Sequence, residues 1–396
     1  MDNTLAIGLE TLPWTSRLPP ELLSRRQALR IPSTYQAAIP AEISELEFQV
    51  PASLAALAEE AAQALMRADA EASGPLSVPP LASILLRTES AASSQIEHLT
   101  VSARQLAVAE IGQAASRNAE LVADNVTAMR AAIDLADRLD ETTILAMHQA
   151  LMRRQPRAQP GQWRDVQVWI GASGLSPADA SFVPPAPGRV PHAMADLVRF
   201  LDRTNLPVLV HVAIAHAQFE TIHPFVDGNG RTGRALMHAM IRAARVTSHV
   251  TVPVSAGLLS HLDEYVQALT KFRQGDIRPI VEAVADAAHR AVWLQHWLSG
   301  ELEQLAHTWQ DTARPRKGSA LAGLTRLAMA QPALTTAVVV DALGVSPTAA
   351  THALDQAVGA GILTMANDKL RNRVWLAQDV LDLLDEFAAR AGRRSG

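Results

Sequence analysis

The chain reads as a mainly α-helical protein with one small β-hairpin set among its helices and a small winged-helix unit near its C-terminal end. Three observations predict this. Nearly half of the 396 residues are apolar while aromatics reach only 4%. Alanine and other small residues therefore carry the hydrophobicity, as in closely packed helices, where alanine loses no side-chain entropy. Apolar residues also recur at helical spacing along most of the chain from residue 52 onward, and that pattern breaks at 156–190 and changes character after 316.

The elements follow in order. Residues 1–50 hold Pro13, Pro19, Pro20, Pro32 and Pro40 with little periodicity, and read as an extended N-terminal arm with one short helix at "PPELLSRRQAL". Residues 51–125 form a helical region that begins with "SLAALAEEAAQALMRADAEA" and resumes near Leu81. Residues 126–300 form the main helical domain. Within it "GQWRDVQVWIGASG" alternates Val166, Val168 and Ile170 before the proline-rich "SFVPPAPGRVP", which predicts a short hairpin. In residues 316–396 three short helices are expected, with Gly344 closing one and Ser346 or Thr348 capping the next. "TMANDKLRNRVWLA" then supplies a two-stranded wing.

Composition excludes several classes. The formal charge is −5, from 35 basic and 40 acidic residues, so no global field attracts nucleic acid or an anionic membrane. The absence of cysteine excludes disulfides, thiolate zinc sites and thiol nucleophiles. No basic-then-apolar leader and no apolar run of about eighteen residues is visible, so a soluble, cytoplasmic protein without membrane contact is expected.

The chemistry concentrates in "HPFVDGNGRTGR", His223 to Arg234. Pro224 disfavours helical dihedrals at His223, so the preceding helix should stop there. Gly228 and Gly230 permit a tight turn with exposed backbone amides. Arg231 and Arg234, three apart, share one side of the helix that follows. Amides, helix dipole and guanidinium groups together suit a phosphate. Asp227 offers a carboxylate to Mg²⁺, and His223 can take a proton near neutral pH.

This stretch resembles the active-site motif of the Fic family, HPFxDGNGRxxR, and matches it at every defined position. The resemblance extends over roughly residues 50–300. It implies a Fic-type helical bundle that moves AMP from ATP, with Mg²⁺, onto a Ser, Thr or Tyr hydroxyl of a target protein. It implies His223 as general base and Asp227 as the Mg²⁺ ligand. Gly228, Asn229 and Gly230 would line the phosphate cradle, and Arg231 and Arg234 would hold the distal phosphates. Phe225 would anchor the loop. "GQWRDVQVWIGAS" resembles the family's flap, placing Val168, Trp169, Ile170 and Gly171 by the nucleotide and the target strand. Tyr265 and Arg273 fall in the segment near the adenine, where Val266 replaces a usual tyrosine and Arg273 a usual asparagine.

"SSQIEH", Ser93 to His98, is similar to the family's inhibitory motif [S/T]xxxE[G/N], with His98 in place of the usual glycine or asparagine. The resemblance implies that Glu97 competes with the γ-phosphate for Arg234 and that Ser93 belongs to the same device. Ser94-x-x-Glu97 can equally be a capping box that starts a helix. Removal of AMP by the same site and a homodimer are both left open.

Two rivals are weighed. His216, Glu220 and His223 have helical spacing for a zinc site, against which Pro224 argues. A DNA-binding regulator could act through 316–396, with the Fic domain as nucleotide sensor. Its recognition helix has no Lys or Arg, however, and only Lys369, Arg371 and Arg373 in the wing are basic.

Overall fold

The computed structural model describes residues 5–15, 24, 31–73, 81–113, 116–171, 176–177, 180–366 and 373–392. The N-terminal segment is more ordered than an arm. Strand β1 (Gly8–Pro13) pairs antiparallel with β2 (Thr34–Ile39), Gly8 opposite Ile39. The short helix expected at "PPELLSRRQAL" lies outside the described residues, apart from Ser24. Little in the sequence marks the pair, because its partners lie twenty or more residues apart and alternate only weakly.

Helices α1 (Ala52–Ala72), α2 (Leu81–Ile96), α3 (Ala103–Glu110), α4 (Arg117–Asp134) and α5 (Glu141–Met152) follow. Their starts have local causes. Ser102 with Gln105 makes a capping box on α3, and Ser116 and Asp140 accept from first-turn amides of α4 and α5. After the hairpin region come α6 (Val190–Leu201), α7 (Val208–Ile222), α8 (Asn229–Ala243), α9 (Val254–Ser260), α10 (Leu262–Arg273) and the long α11 (Arg278–Ala313).

Helix α7 is buried along its whole length except at Val208 and His211. It is the central rod of the bundle, with Val210, Ile214, Ala217 and Phe219 among its buried residues. Burial on all sides is why Gln218, Glu220 and His216 are also withdrawn from solvent. Its C-terminal end therefore delivers His223 from the interior.

The expected hairpin is present but closed by one isolated bridge, Ile170 to Phe182. Strand β2 docks beside it, the Ala38 N–H donating to the Val183 carbonyl at 3.0 Å.

Beyond α11 lie α12 (Ala320–Ala330), β3 (Ala333–Leu334), α13 (Thr336–Leu343), α14 (Pro347–Gly359), β4 (Thr364–Met365), β5 (Trp375–Leu376) and α15 (Gln378–Ala391), with strand order β3-β5-β4. Gly344 closes α13 at φ 63°, and the Ser346 hydroxyl, not Thr348, caps α14. Lys369 and Arg371 lie outside the described residues. The apolar core of this unit runs on into the main core through Leu302 and Trp309 of α11. No single helix among the described residues is long and apolar enough to cross a membrane.

Candidate active site

The loop between α7 and α8 is built by its own side chains. His223 ends α7 in the left-handed region at φ 51°, its N–H donating to Phe219 O at 2.8 Å. Phe225 is fully buried and stacks on His148, centroids 3.6 Å apart and planes within 7°. Truncating so buried a ring costs about 3–5 kcal/mol. His148 accepts from the Gly161 N–H at Nδ1 and donates from Nε2 to the Asp227 carbonyl, both at 3.0 Å. Burial pushes its pKa down to about 4, so it is the neutral imidazole that makes both bonds.

Asn229 accepts from the Phe225 N–H at 2.8 Å and returns its amide to the Phe225 carbonyl at 2.9 Å. Its side chain is thus committed to bracing the loop, and only its backbone amide faces the cradle assigned to it. Gly228 sits at φ 81°, where a Cβ would come within 2.7 Å of Met152 Cε. The positive φ favours glycine, while the terminal methyl of Met152 could yield to a Cβ.

Gly228 is the N-cap of α8 and supplies no side-chain cap, so the first-turn amides keep their donors for an anion. Arg231, 3% exposed, lies in that turn with Nε and Nη1 unpartnered and Nη2 3.7 Å from Asp227 Oδ1. A buried cation with idle donors fits phosphate oxygens. Asp227 is 58% exposed and accepts from the Gly228 N–H at 2.6 Å. Among the described residues no group of three His, Cys, Asp or Glu could hold a metal by itself. One exposed carboxylate beside a phosphate cradle fits Mg²⁺, which is commonly held by a single carboxylate, substrate phosphates and water.

Arg234, 1% exposed, is already occupied. Its Nε donates to Ser93 Oγ at 2.9 Å, and its Nη2 to the Ser93 carbonyl at 2.7 Å and to Glu97 Oε1 at 2.8 Å. A Cβ on Gly230 would overlap Glu97 Oε1, so the carboxylate lies directly over the N-terminal turn of α8. Burial works to raise the Glu97 carboxyl, but Arg234, then Arg231 and His223, outweigh it and hold the pKa below its ordinary value.

The capping-box reading of Ser94 and Glu97 fails, because both stand where α2 ends. Ser94 Oγ bonds back to the Ser90 carbonyl, and Leu99 N–H and His98 N–H close on Ser94 O and Gln95 O. That is a helix-terminating turn whose αL residue is His98, at φ 61°. The glycine or asparagine usual at this place in the resembling motif thereby acquires a physical reason. One turn back, buried Glu89 accepts from His238 Nε2 at 2.8 Å and from Ser255, so α2 and α8 are pinned at two levels.

Behind the loop, His216 Nε2 bonds the Tyr265 hydroxyl at 2.7 Å. Tyr265 is buried there, its ring stacked on His216. Arg273 lies over the Phe182 ring at 3.7 Å and reaches the Glu220 carbonyl at 3.5 Å, tying α10 to the flap. The zinc alternative fails with these contacts. His216 Nε2 bonds Tyr265, His223 Nδ1 is 3.7 Å from Glu220 Oε2 outside the helical path, and among the described residues no three such side chains are grouped to hold a metal. Val168, Trp169 and Ile170 lie half-buried on the flap, Gly171 at its exposed turn, and Trp169 packs edge-on against Trp14 at 5.3 Å.

Residues 138–241 match the model of the Fic/DOC family. That stretch is similar to a Fic domain. The chain is similar to the protein adenylyltransferase Fic of Drosophila erecta, 31% identical over 164 residues, 41% of this chain and 30% of that protein. To the protein of the same name in Drosophila melanogaster it is 30% identical over 175 residues, 43% of this chain and 32% of that one. The chain thus spans less than a third of the length of these relatives. A Fic family protein from Desulfovibrio desulfuricans G20 shares the fold at TM-score 0.54 and 24% identity, covering 83% of this chain and 97% of that one.

Two side chains that brace the motif escape sequence reasoning, His148 and Arg164; each comes from another element, and periodicity marks neither. Glu220, marked by its spacing in the zinc alternative, is instead a buried carboxyl one turn behind His223. The one legible signal is Arg164, a charge inside an otherwise strand-like run.

Proposed function

We propose that the protein is an adenylyltransferase that moves AMP from ATP to a hydroxyl of a target protein, with Mg²⁺. The observation that carries this is Arg231. It is a buried guanidinium with idle donors in the first turn of an uncapped helix, beside the carboxylate of Asp227 and on the helix that follows the His223 loop.

The polyphosphate lies on the first-turn amides of α8, with Arg231 and Arg234 on its distal oxygens. Mg²⁺ held by Asp227 supplies charge neutralisation of the phosphates. Burial pushes the His223 pKa down to about 3, so the ring is neutral and can accept a proton. The target oxygen attacks the α-phosphorus as its proton passes to His223. The new O–P bond forms, the bond to the bridging oxygen breaks, and pyrophosphate leaves. The flap offers an edge to the target segment beside the base.

Glu97 is an internal competitor. It takes Arg234 and the space over Gly230 with one carboxylate, so a γ-phosphate and Glu97 exclude each other. The ground state is therefore autoinhibited, and reversal of AMP transfer by the same site is compatible with this arrangement. The C-terminal unit serves as an accessory winged helix. The exposed face of α14 carries Asp355 and no Lys or Arg, which disfavours the DNA-regulator alternative.

The test uses ATP labelled at the α-phosphate with Mg²⁺ and three proteins: wild type, Glu97→Gly and His223→Ala. Weak labelling of protein by wild type, strong labelling by Glu97→Gly and none by His223→Ala are expected. Failure of Glu97→Gly to label itself or any lysate protein overturns the reading.

A further inference from the structure

Arg164 stands in the stem of the flap, 2% exposed. Its guanidinium donates only to backbone carbonyls. Nε reaches His223 O at 2.8 Å, Nη1 reaches Val166 O at 3.1 Å, and Nη2 reaches Pro185 O at 2.6 Å, with Ile222 O more distant at 3.4 Å. Its own N–H donates to Pro224 O at 2.9 Å. Val166 and Pro185 belong to the two stems of the flap, and Ile222, His223 and Pro224 form the C-terminal end of α7. One side chain thus joins three strands of backbone and caps the helix at the residue that carries the base.

The fold asks for donors here, not for a charge. A buried cation with no carboxylate among its partners carries a desolvation cost that carbonyls offset only in part. Burial lowers its pKa to about 10, which leaves it cationic at neutral pH. The charge is retained beside His223, and His223 holds an αL backbone that its carbonyl bond to Arg164 Nε secures.

We infer that Arg164 is a positioning residue for His223: it couples the flap to the base, so that seating a target strand and aligning the imidazole are one event. This rests on the adenylyltransferase reading and adds a residue outside the twelve-residue motif. A second consequence is electrostatic. The imidazole faces Arg164 from the flap, Glu97 from α2, Arg273 from α10 and Glu220 from its own helix. Burial and then Arg164 act most strongly to keep it unprotonated, while Glu97 opposes them. A polyphosphate entering the site would pull the proton affinity of His223 upward, and Arg164 counters that pull.

The test compares Arg164→Met and Arg164→Lys in the Glu97→Gly background. Three quantities are read: binding of a non-hydrolysable ATP analogue with Mg²⁺, single-turnover transfer of α-labelled AMP onto the chain itself, and the His223 titration by NMR with labelled histidine. For Arg164→Met the analogue should bind within about two-fold of the parent, since Arg164 sits on no proposed phosphate position. Transfer at pH 7 should fall about 100-fold, the scale expected for a misplaced catalytic group. The His223 titration should move upward in the presence of the analogue. Arg164→Lys should keep the titration near that of the parent yet lose transfer about ten-fold, because one ammonium cannot span both stems and the helix end. Should Arg164→Met prove unfolded by circular dichroism, Arg164→Lys decides by its split between unchanged analogue binding and reduced transfer. An unchanged titration with unchanged transfer in Arg164→Met overturns the inference, as does loss of transfer only in step with loss of analogue binding. A Glu97→Gly parent without transfer would sink the adenylyltransferase reading instead, and the titration arm would still decide whether Arg164 governs His223.

Discussion

Arg234 in the first turns of α8 and Glu97 at the end of α2 meet at 2.8 Å, 137 residues apart in the chain. The guanidinium is almost wholly buried and the carboxylate 39% exposed. The cation is therefore fixed and the anion is the replaceable partner. Helix α2 is held to α8 by this contact, by Ser93 and by the Glu89–His238 pair one turn away.

Removing the charge of Glu97 without its shape should release the site to nucleotide. Glu97→Gln is expected to tighten binding of an ATP analogue by about ten-fold or more, the scale of one charge-assisted hydrogen bond. Isothermal titration calorimetry at constant Mg²⁺ reads this directly. Equal affinity in variant and wild type would mean that Glu97 does not compete.

Lowering the pH acts on the same contact with a defined sign. The Glu97 carboxyl is held below its ordinary 4.5 in the folded chain, so its stabilising contribution is complete above pH 4.5 and is lost as pH falls through the lower folded value. Burial opposes that depression and Arg234 leads the groups that cause it. Thermal melts of wild type and Glu97→Gln should therefore diverge at pH 6 and converge in strong acid.

Glu220 has the opposite sign. Burial raises its pKa to about 7, with Arg234 and Arg273 opposing and Glu97 assisting. Ionising it in the folded chain costs stability that first appears above pH 4.5 and is complete above about 7. At about 1.4 kcal/mol per unit, the penalty reaches roughly 3 kcal/mol at pH 8. Glu220→Gln should melt higher than wild type at pH 8 and near wild type at pH 4.5. A constant difference across that range would show that the carboxyl does not titrate as described.

His98 holds an αL backbone that costs a non-glycine residue on the order of 1 kcal/mol or more. His98→Gly should relieve that cost, stabilise the end of α2 and seat Glu97 more firmly. The expected readings are a melting temperature raised by a few degrees and basal AMP transfer below that of wild type. A rise in basal transfer would contradict them.

Helix α2 is also gripped from the C-terminal unit. Arg87 on α2 donates to the Ala330 carbonyl at 2.7 Å and Gln331 Oε1 at 3.0 Å, and pairs with Glu110 at 2.6 Å. Asp385 of α15 caps the first amide of α3 at 2.7 Å. Arg87→Ala should loosen α2 and raise transfer above wild type, though less than Glu97→Gly does. Labelling with α-labelled ATP orders the three proteins, and a silent Arg87→Ala would confine regulation to Glu97 itself.

By itself the sequence determined the helical class, a few helix limits such as the stop at His223 and the ends at Gly344 and Ser346, and the loop where the candidate chemistry concentrates. Those properties are local. Alanine-rich periodicity sets the helices, Ser, Asp and Gly set their ends, and Pro224 with Gly228 sets the turn. The N-terminal strand pair, the true position of Ser94 at a helix end and the burial of Tyr265 were decided only by tertiary structure. So were the roles of His148, Arg164 and Glu220. Each depends on what the rest of the chain brings within a few ångströms: Arg164 is an ordinary flap residue until the end of α7 turns the carbonyls of Ile222, His223 and Pro224 toward it, and Glu220 is an ordinary helix glutamate until burial on all sides of α7 removes its water. Desolvation and contacts between distant segments have no period, and so only the folded chain states them.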